Sequence, residues 1–319
     1  MKAIRFHKNG GPEVLQLDQV PEPAAGPGQV LIKVDFASIN YADIGRRKGQ
    51  YPTTAPLPAI PGLEVSGTVA ALGAGVSKPA VGTRVMARAV PYGYAEYTVA
   101  PVESVFPVPA ALSMEEAAAA LVIFMTGWMG IVLRGQAKVG ETALIHAAGS
   151  GCGMAGIQIA KLSGLKVITT ASTAEKLEKA KKIGADHAIN YTTQDFAAEV
   201  LRITSGRGAD LIYDGVGGEV LAKSIGCVAA GGRVISYGSS SGQTNVTFGV
   251  RDLFGKNAVL AGISAGTAAP DDYRKVLDIL GSGAMRPVID RAFPLERAAE
   301  AHRYLEGRTV FGKVVLKVS

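Results

Sequence analysis

One short stretch constrains this chain more than any other: Ala147-Ala-Gly149-Ser-Gly151-Cys-Gly153-Met-Ala-Gly156, in which Gly151, Gly153 and Gly156 keep the spacing G-x-G-x-x-G. A lone match to that spacing says little. Here the apolar run Thr142-Ala-Leu-Ile-His precedes it and a helical pattern from Gly153 to Leu162 comes after it. Strand, glycine turn and helix in that order open a parallel sheet that binds a dinucleotide. The glycines let backbone approach a pyrophosphate, and the helix N-terminus offers free N–H groups and the positive end of its dipole.

The chain on either side extends the reading. Leu165-Lys-Val-Ile-Thr-Thr, Ala188-Ile-Asn, Leu211-Ile-Tyr-Asp, Gly232-Arg-Val-Ile-Ser-Tyr and Ala258-Val-Leu-Ala-Gly-Ile are short apolar strands, with helical stretches such as Thr173 to Ile183 between them. Such runs indicate a parallel sheet covered on both faces. Residues 1–110 are β-rich instead: Val30-Leu-Ile-Lys-Val-Asp-Phe, Val65-Ser-Gly-Thr-Val and Arg84-Val-Met-Ala-Arg-Ala-Val alternate with turn clusters. Ser113-Met-Glu-Glu116 is a capping box before an Ala-rich helix and marks the change of character. A helix from about Asp271 to Leu280 precedes a strand-like tail, Gly312-Lys-Val-Val-Leu-Lys-Val. That tail is expected to return to the first domain, because the α/β unit is already complete. The expected fold class is α/β: a Rossmann doubly wound parallel sheet over residues 123–269, plus a β-barrel-type domain from residues 1–122 and 270–319. A length of 319 residues suits two domains.

Composition removes several classes. With 48% apolar and 19% charged residues, a sizeable core is available and disorder is excluded. The net charge of +6 is modest, and the runs Arg46-Arg47-Lys48 and Lys181-Lys182 have no interleaved aromatics, so no nucleic-acid surface is expected. Two cysteines, Cys152 and Cys227, supply neither a disulfide framework nor metal-ligand spacing. No apolar span is long enough for a membrane helix, and the expected location is the cytoplasm.

The strand after the glycine loop decides the dinucleotide. An NAD site places Asp or Glu about 20 residues beyond the loop's start. Here the strand ends Thr169-Thr-Ala-Ser172-Thr173, and Glu175 belongs to a capping box, Ser172-Thr-Ala-Glu175. Ser172 and Lys176 suit a 2′-phosphate, which a carboxylate would repel, so the expected cofactor is NADPH. At later strand ends, Asp214-Gly-Val216-Gly-Gly and Tyr237-Gly238-Ser239 are placed to hold the nicotinamide through backbone groups. Gly238-Ser-Ser240-Ser-Gly242 also spells G-x-S-x-G, but Gln243-Thr-Asn-Val-Thr-Phe is no helix start, which argues against a hydrolase elbow. His146 reads as a packed strand-end residue and Asp43 as a loop anchor.

These residues together resemble the medium-chain dehydrogenase/reductase superfamily and, within it, the zinc-independent quinone oxidoreductases of the zeta-crystallin type. The markers are Ser38-Ile-Asn40-Tyr-Ala-Asp43, Pro61-Gly-Leu-Glu-Val-Ser-Gly67, Ala117-Ala-Ala-Ala-Leu with Thr126-Gly127, the His146-to-Lys161 loop and helix, Asn190-Tyr191, Tyr213-Asp214-Gly-Val-Gly217 and Gly312-Lys-Val-Val-Leu. The resemblance covers essentially the whole chain. It implies a GroES-like domain built from both chain ends around a Rossmann domain. It also implies cofactor contacts at Asn40, Thr126, Gly149, Gly151, Cys152, Gly153, Met154, Val216 and the Tyr237–Ser239 stretch, with Ser172, Lys176 and Tyr191 around the 2′-phosphate. Asn40, Tyr41 and Tyr51 are the expected catalytic set, with Tyr51 at the substrate mouth. A homodimer through the edge strand at Ala258–Ile263 is implied too. One departure stands out: members often carry Tyr two residues after the Asp of Asn-x-x-Asp, where this chain has Gly45.

Zinc-dependent members of the superfamily hold their metal with Cys, His and Cys. Those places fall at Asn40, Leu63 and near Val122, none of which is a zinc ligand, so no metal is expected. Without a Lewis acid the acceptor must already be electron-poor. The expected activity is hydride transfer from NADPH to a quinone. The alternatives are reduction of an enone or alkenal double bond, and an NADPH-binding structural or RNA-associated role.

Overall fold

The computed structural model describes residues 1–51, 56–88, 92–264 and 268–319. The chain forms two compact units, Met1–Val122 with Leu277–Ser319, and Ile123–Val276.

The second unit is built on a parallel sheet. Among the described residues its strands run, edge to edge, His187–Asn190, Lys166–Ala171, Thr142–Ile145, Ala209–Asp214, Val228–Ser236 and Val259–Gly262. In chain order that is 3-2-1-4-5-6, the doubly wound order, whose reversal lies between Thr142–Ile145 and Ala209–Asp214. Register aligns one apolar row across the sheet: Val234 opposite Ile212, Ile212 opposite Leu144, Leu144 opposite Ile168. All four are fully buried, in one core with Phe196, Val200, Leu221 and Ile225 from the helices Phe196–Ile203 and Gly218–Gly226. Each such side chain contributes about 1.5–3 kcal/mol of burial.

The first unit holds a mostly antiparallel sheet. Its path is Ile289–Pro294, Lys313–Lys317, Gln29–Ser38, Glu64–Leu72, Arg84–Arg88 and Val105–Pro107, with Tyr97–Pro101 also paired to Gln29–Ser38. The C-terminal strand Lys313–Lys317 pairs antiparallel with Gln29–Ser38 of the N-terminal part of the chain. Two registers bring polar residues from distant parts of the chain level with one another. Val315 faces Ser38 in the antiparallel pair, which sets Lys313 level with Asn40. Val65 faces Ala37, which sets Glu64 level with Ser38.

Two local expectations change. The capping box at Ser113 and Glu116 forms, but its helix covers only Met114–Ala117, and a new helix begins at Leu121. Ala117 to Ala120 are buried, and the N–H of Val122 is taken by the carboxylate of Glu64 at 2.9 Å, which starts the second helix from outside it. The helix Ala174–Lys182 is capped by Thr173 rather than Ser172, its side chain accepting the N–H of Lys176. Glu175 pairs instead with Lys179, four residues along. Among the described residues, no helix is long and apolar enough to cross a membrane.

Candidate active site

The glycine loop closes over the end of strand Thr142–Ile145. Ala147, just beyond it, adopts a left-handed conformation (φ 56°). Its N–H reaches Thr170 Oγ1 at 3.3 Å, and its carbonyl accepts the N–H of Ser150 at 2.8 Å. Ser150 then caps the helix Gly151–Leu162 by accepting the N–H of Gly153 at 2.9 Å. A Cβ on Gly153 would stand 2.1 Å from the carbonyl oxygen of Ala147, so only glycine lets the loop turn this tightly into a helix. The result is a helix N-terminus beside the sheet's reversal point, the arrangement that receives a pyrophosphate. Cys152 is half-buried there and Met154 fully buried.

The neighbouring strand ends make a second corner. The N–H of Tyr191 bonds the carbonyl of Ala171 at 3.2 Å, which brings Tyr191 beside Ser172, while Lys176 lies in the first turn of the following helix. Tyr191 is exposed, Ser172 half-buried and Lys176 largely buried. The nearest acid in sequence, Glu175, is held outward by Lys179.

The loops after the next two strands are laced together. Asp214 is buried and accepts the N–H groups of Val216 and Gly217 at 2.8 and 3.1 Å. Val216 also accepts the N–H of Ser241, so its backbone serves the loop before any ligand. Tyr237 does not stand clear of the sheet. Its ring stacks on Tyr213, centroids 4.1 Å apart, in room that exists because Gly215 has no side chain. Gly238 and Ser239 lie against Gly215 and Gly217.

His146 is saturated where it stands. Ser224 Oγ donates to Val220 O, so it accepts from His146 Nε2 at 2.9 Å, and Nδ1 takes Thr170 Oγ1 at 3.1 Å. Burial pushes its pKa down, and a neutral ring with both nitrogens used has no proton-transfer role.

In the first unit Asn40 sits at the N-terminus of helix Tyr41–Arg47, mostly buried. Asp43 accepts its backbone N–H at 2.8 Å and that of Gly62 at 3.1 Å, so Asp43 is an anchor of two loops. Burial raises the Asp43 pKa to about 6 against those two donors. The Asn40 side chain joins a cluster that the sequence reading missed. Glu64 Oε1 accepts from Ser38 Oγ (2.6 Å), Asn40 Nδ2 (3.1 Å) and Lys313 Nζ (3.2 Å). The signal was present only as three separate family markers, around Asn40, Glu64 and Lys313. Tyr41 and Tyr51 are both exposed. Tyr51 lies over Gly45, whose Cβ would come within 2.8 Å of the ring, so the Tyr51 ring fills the space beside that glycine.

Comparison with known proteins agrees with this architecture. Residues 26–110 match the family described as "Alcohol dehydrogenase GroES-like domain", and residues 151–282 the one described as "Zinc-binding dehydrogenase". The chain is 34% identical to a 2-haloacrylate reductase of Burkholderia sp, covering 98% of each. It is 31% identical to the human quinone oxidoreductase over 99% of this chain and 97% of that one. Among solved structures, an Escherichia coli quinone oxidoreductase complexed with NADPH superposes with TM-score 0.93 at 29% identity, covering both chains fully. A protein described as an NAD-dependent alcohol dehydrogenase does so with TM-score 0.93 at 35% identity, again over both full chains. The chain is thus a nicotinamide-dependent oxidoreductase and belongs to the quinone oxidoreductase family of the medium-chain dehydrogenases/reductases.

Proposed function

We propose that this chain reduces quinones with NADPH and without a metal. The observation that carries the reading is the cluster of Asn40, Glu64 and Lys313. The places where zinc-dependent members of the superfamily hold their metal fall at Asn40, Leu63 and near Val122 in this chain. Leu63 is buried, Val122 gives its N–H to Glu64, and Asn40 is bonded to Glu64 and Lys313. An amide oxygen and two apolar side chains make no zinc site. Among the described residues no three His, Cys, Asp or Glu side chains are grouped to hold an ion. An acceptor that is already electron-poor suits such a site.

NADPH fits the residues present. The Gly151–Leu162 helix N-terminus receives the pyrophosphate, and Ser172, Lys176 and Tyr191 form a corner of hydroxyls and an ammonium for a 2′-phosphate. Bound there, the cofactor supplies the hydride. The chain's own part is orientation: in the second unit Thr126, Val216, Gly238 and Ser239 serve the nicotinamide, and in the first unit Asn40 offers an amide, and Tyr41 and Tyr51 exposed rings and hydroxyls, to a flat acceptor. Among the described residues the strand Val259–Gly262 is the edge of its sheet, and Val259 on it is exposed, which supports a homodimer joined at that edge.

A second reading is favoured by one comparison, the 2-haloacrylate reductase: reduction of an activated carbon–carbon double bond. Oxidation of NADPH followed at its absorbance band, with ortho- and para-quinones, small enones and 2-haloacrylates, and NADH as control, separates the two. Turnover on quinones with NADPH preferred supports the proposal. Turnover on enones or haloacrylates alone selects the second reading, and binding without turnover refutes both.

A further inference from the structure

Asn40 is gripped from both ends of its amide. Oδ1 accepts from Lys313 Nζ at 2.7 Å, and Nδ2 donates to Glu64 Oε1 at 3.1 Å, with Ser38 Oγ at 3.5 Å. A flipped amide would set its NH2 against an ammonium and its oxygen against a carboxylate, so one orientation survives. The backbone N–H of the same residue is fixed by Asp43.

Among the described residues, Lys313 Nζ bonds only within this cluster. Its ammonium has three protons, and three acceptors use them: Ile39 O at 3.0 Å, Asn40 Oδ1 and Glu64 Oε1. Its side chain is 4% exposed and that of Glu64 1%, so neither passes a proton to solvent from this arrangement. A buried ion pair is a poor way to gain net stability, since apolar residues of similar size do as well or better. What it does supply is direction: two opposite charges that read the two ends of one amide. Glu64 extends the hold, because its other oxygen accepts the N–H of Val122.

We propose that Lys313 and Glu64 are positioning residues for hydride transfer: they lock the Asn40 amide in a single orientation, and Asn40 in turn places the acceptor. This rests on the reading that Asn40 stands at the reacting centre.

The test is a double-mutant cycle in turnover, with thermal unfolding and NADPH affinity measured alongside. Lys313→Met and Asn40→Ala are each expected to lower kcat on the order of a hundredfold, with acceptor KM and NADPH affinity within about threefold, because misplacement by about an ångström has that effect on rate. In the Asn40→Ala background, Lys313→Met is expected to lower kcat no further. Equal losses in both backgrounds would show that Lys313 acts independently of Asn40 and would overturn the proposal, as would a Lys313→Met enzyme with kcat within twofold of wild type. Should Lys313→Met fail to fold, the cycle is run with Lys313→Met/Glu64→Gln, which leaves no lone buried charge. A larger primary isotope effect with [4-²H]NADPH in the active variants is also expected, and an unchanged one would count against positioning. A wild type that reduces no acceptor overturns both this inference and the function beneath it; an active wild type with an additive cycle overturns this inference alone.

Discussion

Lys313 Nζ lies 2.7 Å from Asn40 Oδ1 although 273 residues separate them in sequence. The antiparallel register of the C-terminal strand against Gln29–Ser38 makes the contact, with Val315 opposite Ser38. Residues at the two ends of the chain thus complete one polar cluster in the first unit.

That cluster has a stability signature distinct from its effect on rate. Lys313→Met strands the Glu64 carboxylate in a buried site and is expected to destabilise by about 3–5 kcal/mol. Lys313→Met/Glu64→Gln should recover most of that loss. Urea unfolding of the three proteins measures it, and a double variant as unstable as the single would contradict it.

Acid stability should depend on His302. Arg47 Nη1 donates to its Nδ1 at 3.0 Å and its Nε2 meets Tyr94 Oη at 3.1 Å, in full burial. Burial, and then the Arg47 charge, hold its pKa down at about 3 from an ordinary 6.5. Below pH 6.5 the unfolded chain gains a proton that the folded chain refuses until about pH 3. Stability from this residue is therefore complete above 6.5 and lost as pH falls towards 3, by about 4–5 kcal/mol in all. Asp43 acts in the opposite sense between about 6 and 3.8, because its folded pKa is raised. The difference between wild type and His302→Gln isolates the histidine: it should shrink steadily from pH 6.5 to 3, and a flat difference would refute the assignment.

The two thiols should behave differently. Cys227 is buried, and burial pushes its pKa up to about 12. Cys152 is half-buried at the glycine loop. Iodoacetamide on the native protein should label Cys152 alone, and saturating NADPH should slow that labelling at least tenfold, on the order of a ligand's protection of its own site. Labelling of Cys227 would contradict its burial, and no protection of Cys152 by NADPH would count against the loop as the pyrophosphate site.

Lys176→Ala should weaken NADPH binding about tenfold, the loss of one charge-assisted contact to phosphate, while NADH binding stays within twofold. Fluorescence titration with both nucleotides reads it. Equal effects on the two would remove Lys176 from the 2′-phosphate site.

Val259 is half-exposed on a strand that, among the described residues, is the edge of its sheet. Val259→Lys should convert a dimer into a monomer by light scattering, because a charge at a paired edge blocks strand addition. A wild type that is already monomeric would end the proposal of edge pairing.

The sequence alone determined the α/β sheet and its glycine loop, because strand, turn and helix succeed one another within a few residues and leave local patterns. It misplaced the cap of the helix at Ala174, where Thr173 and Ser172 are chemically alike and only backbone geometry chooses between them. It showed the stretches around Glu64 and Lys313 without their purpose. Only the tertiary structure decided that Glu64, Lys313 and Asn40 meet, that Tyr51 covers Gly45, and that Tyr237 turns inward onto Tyr213. Those contacts depend on strand register and on space left by missing side chains, neither of which is written in any local stretch of residues.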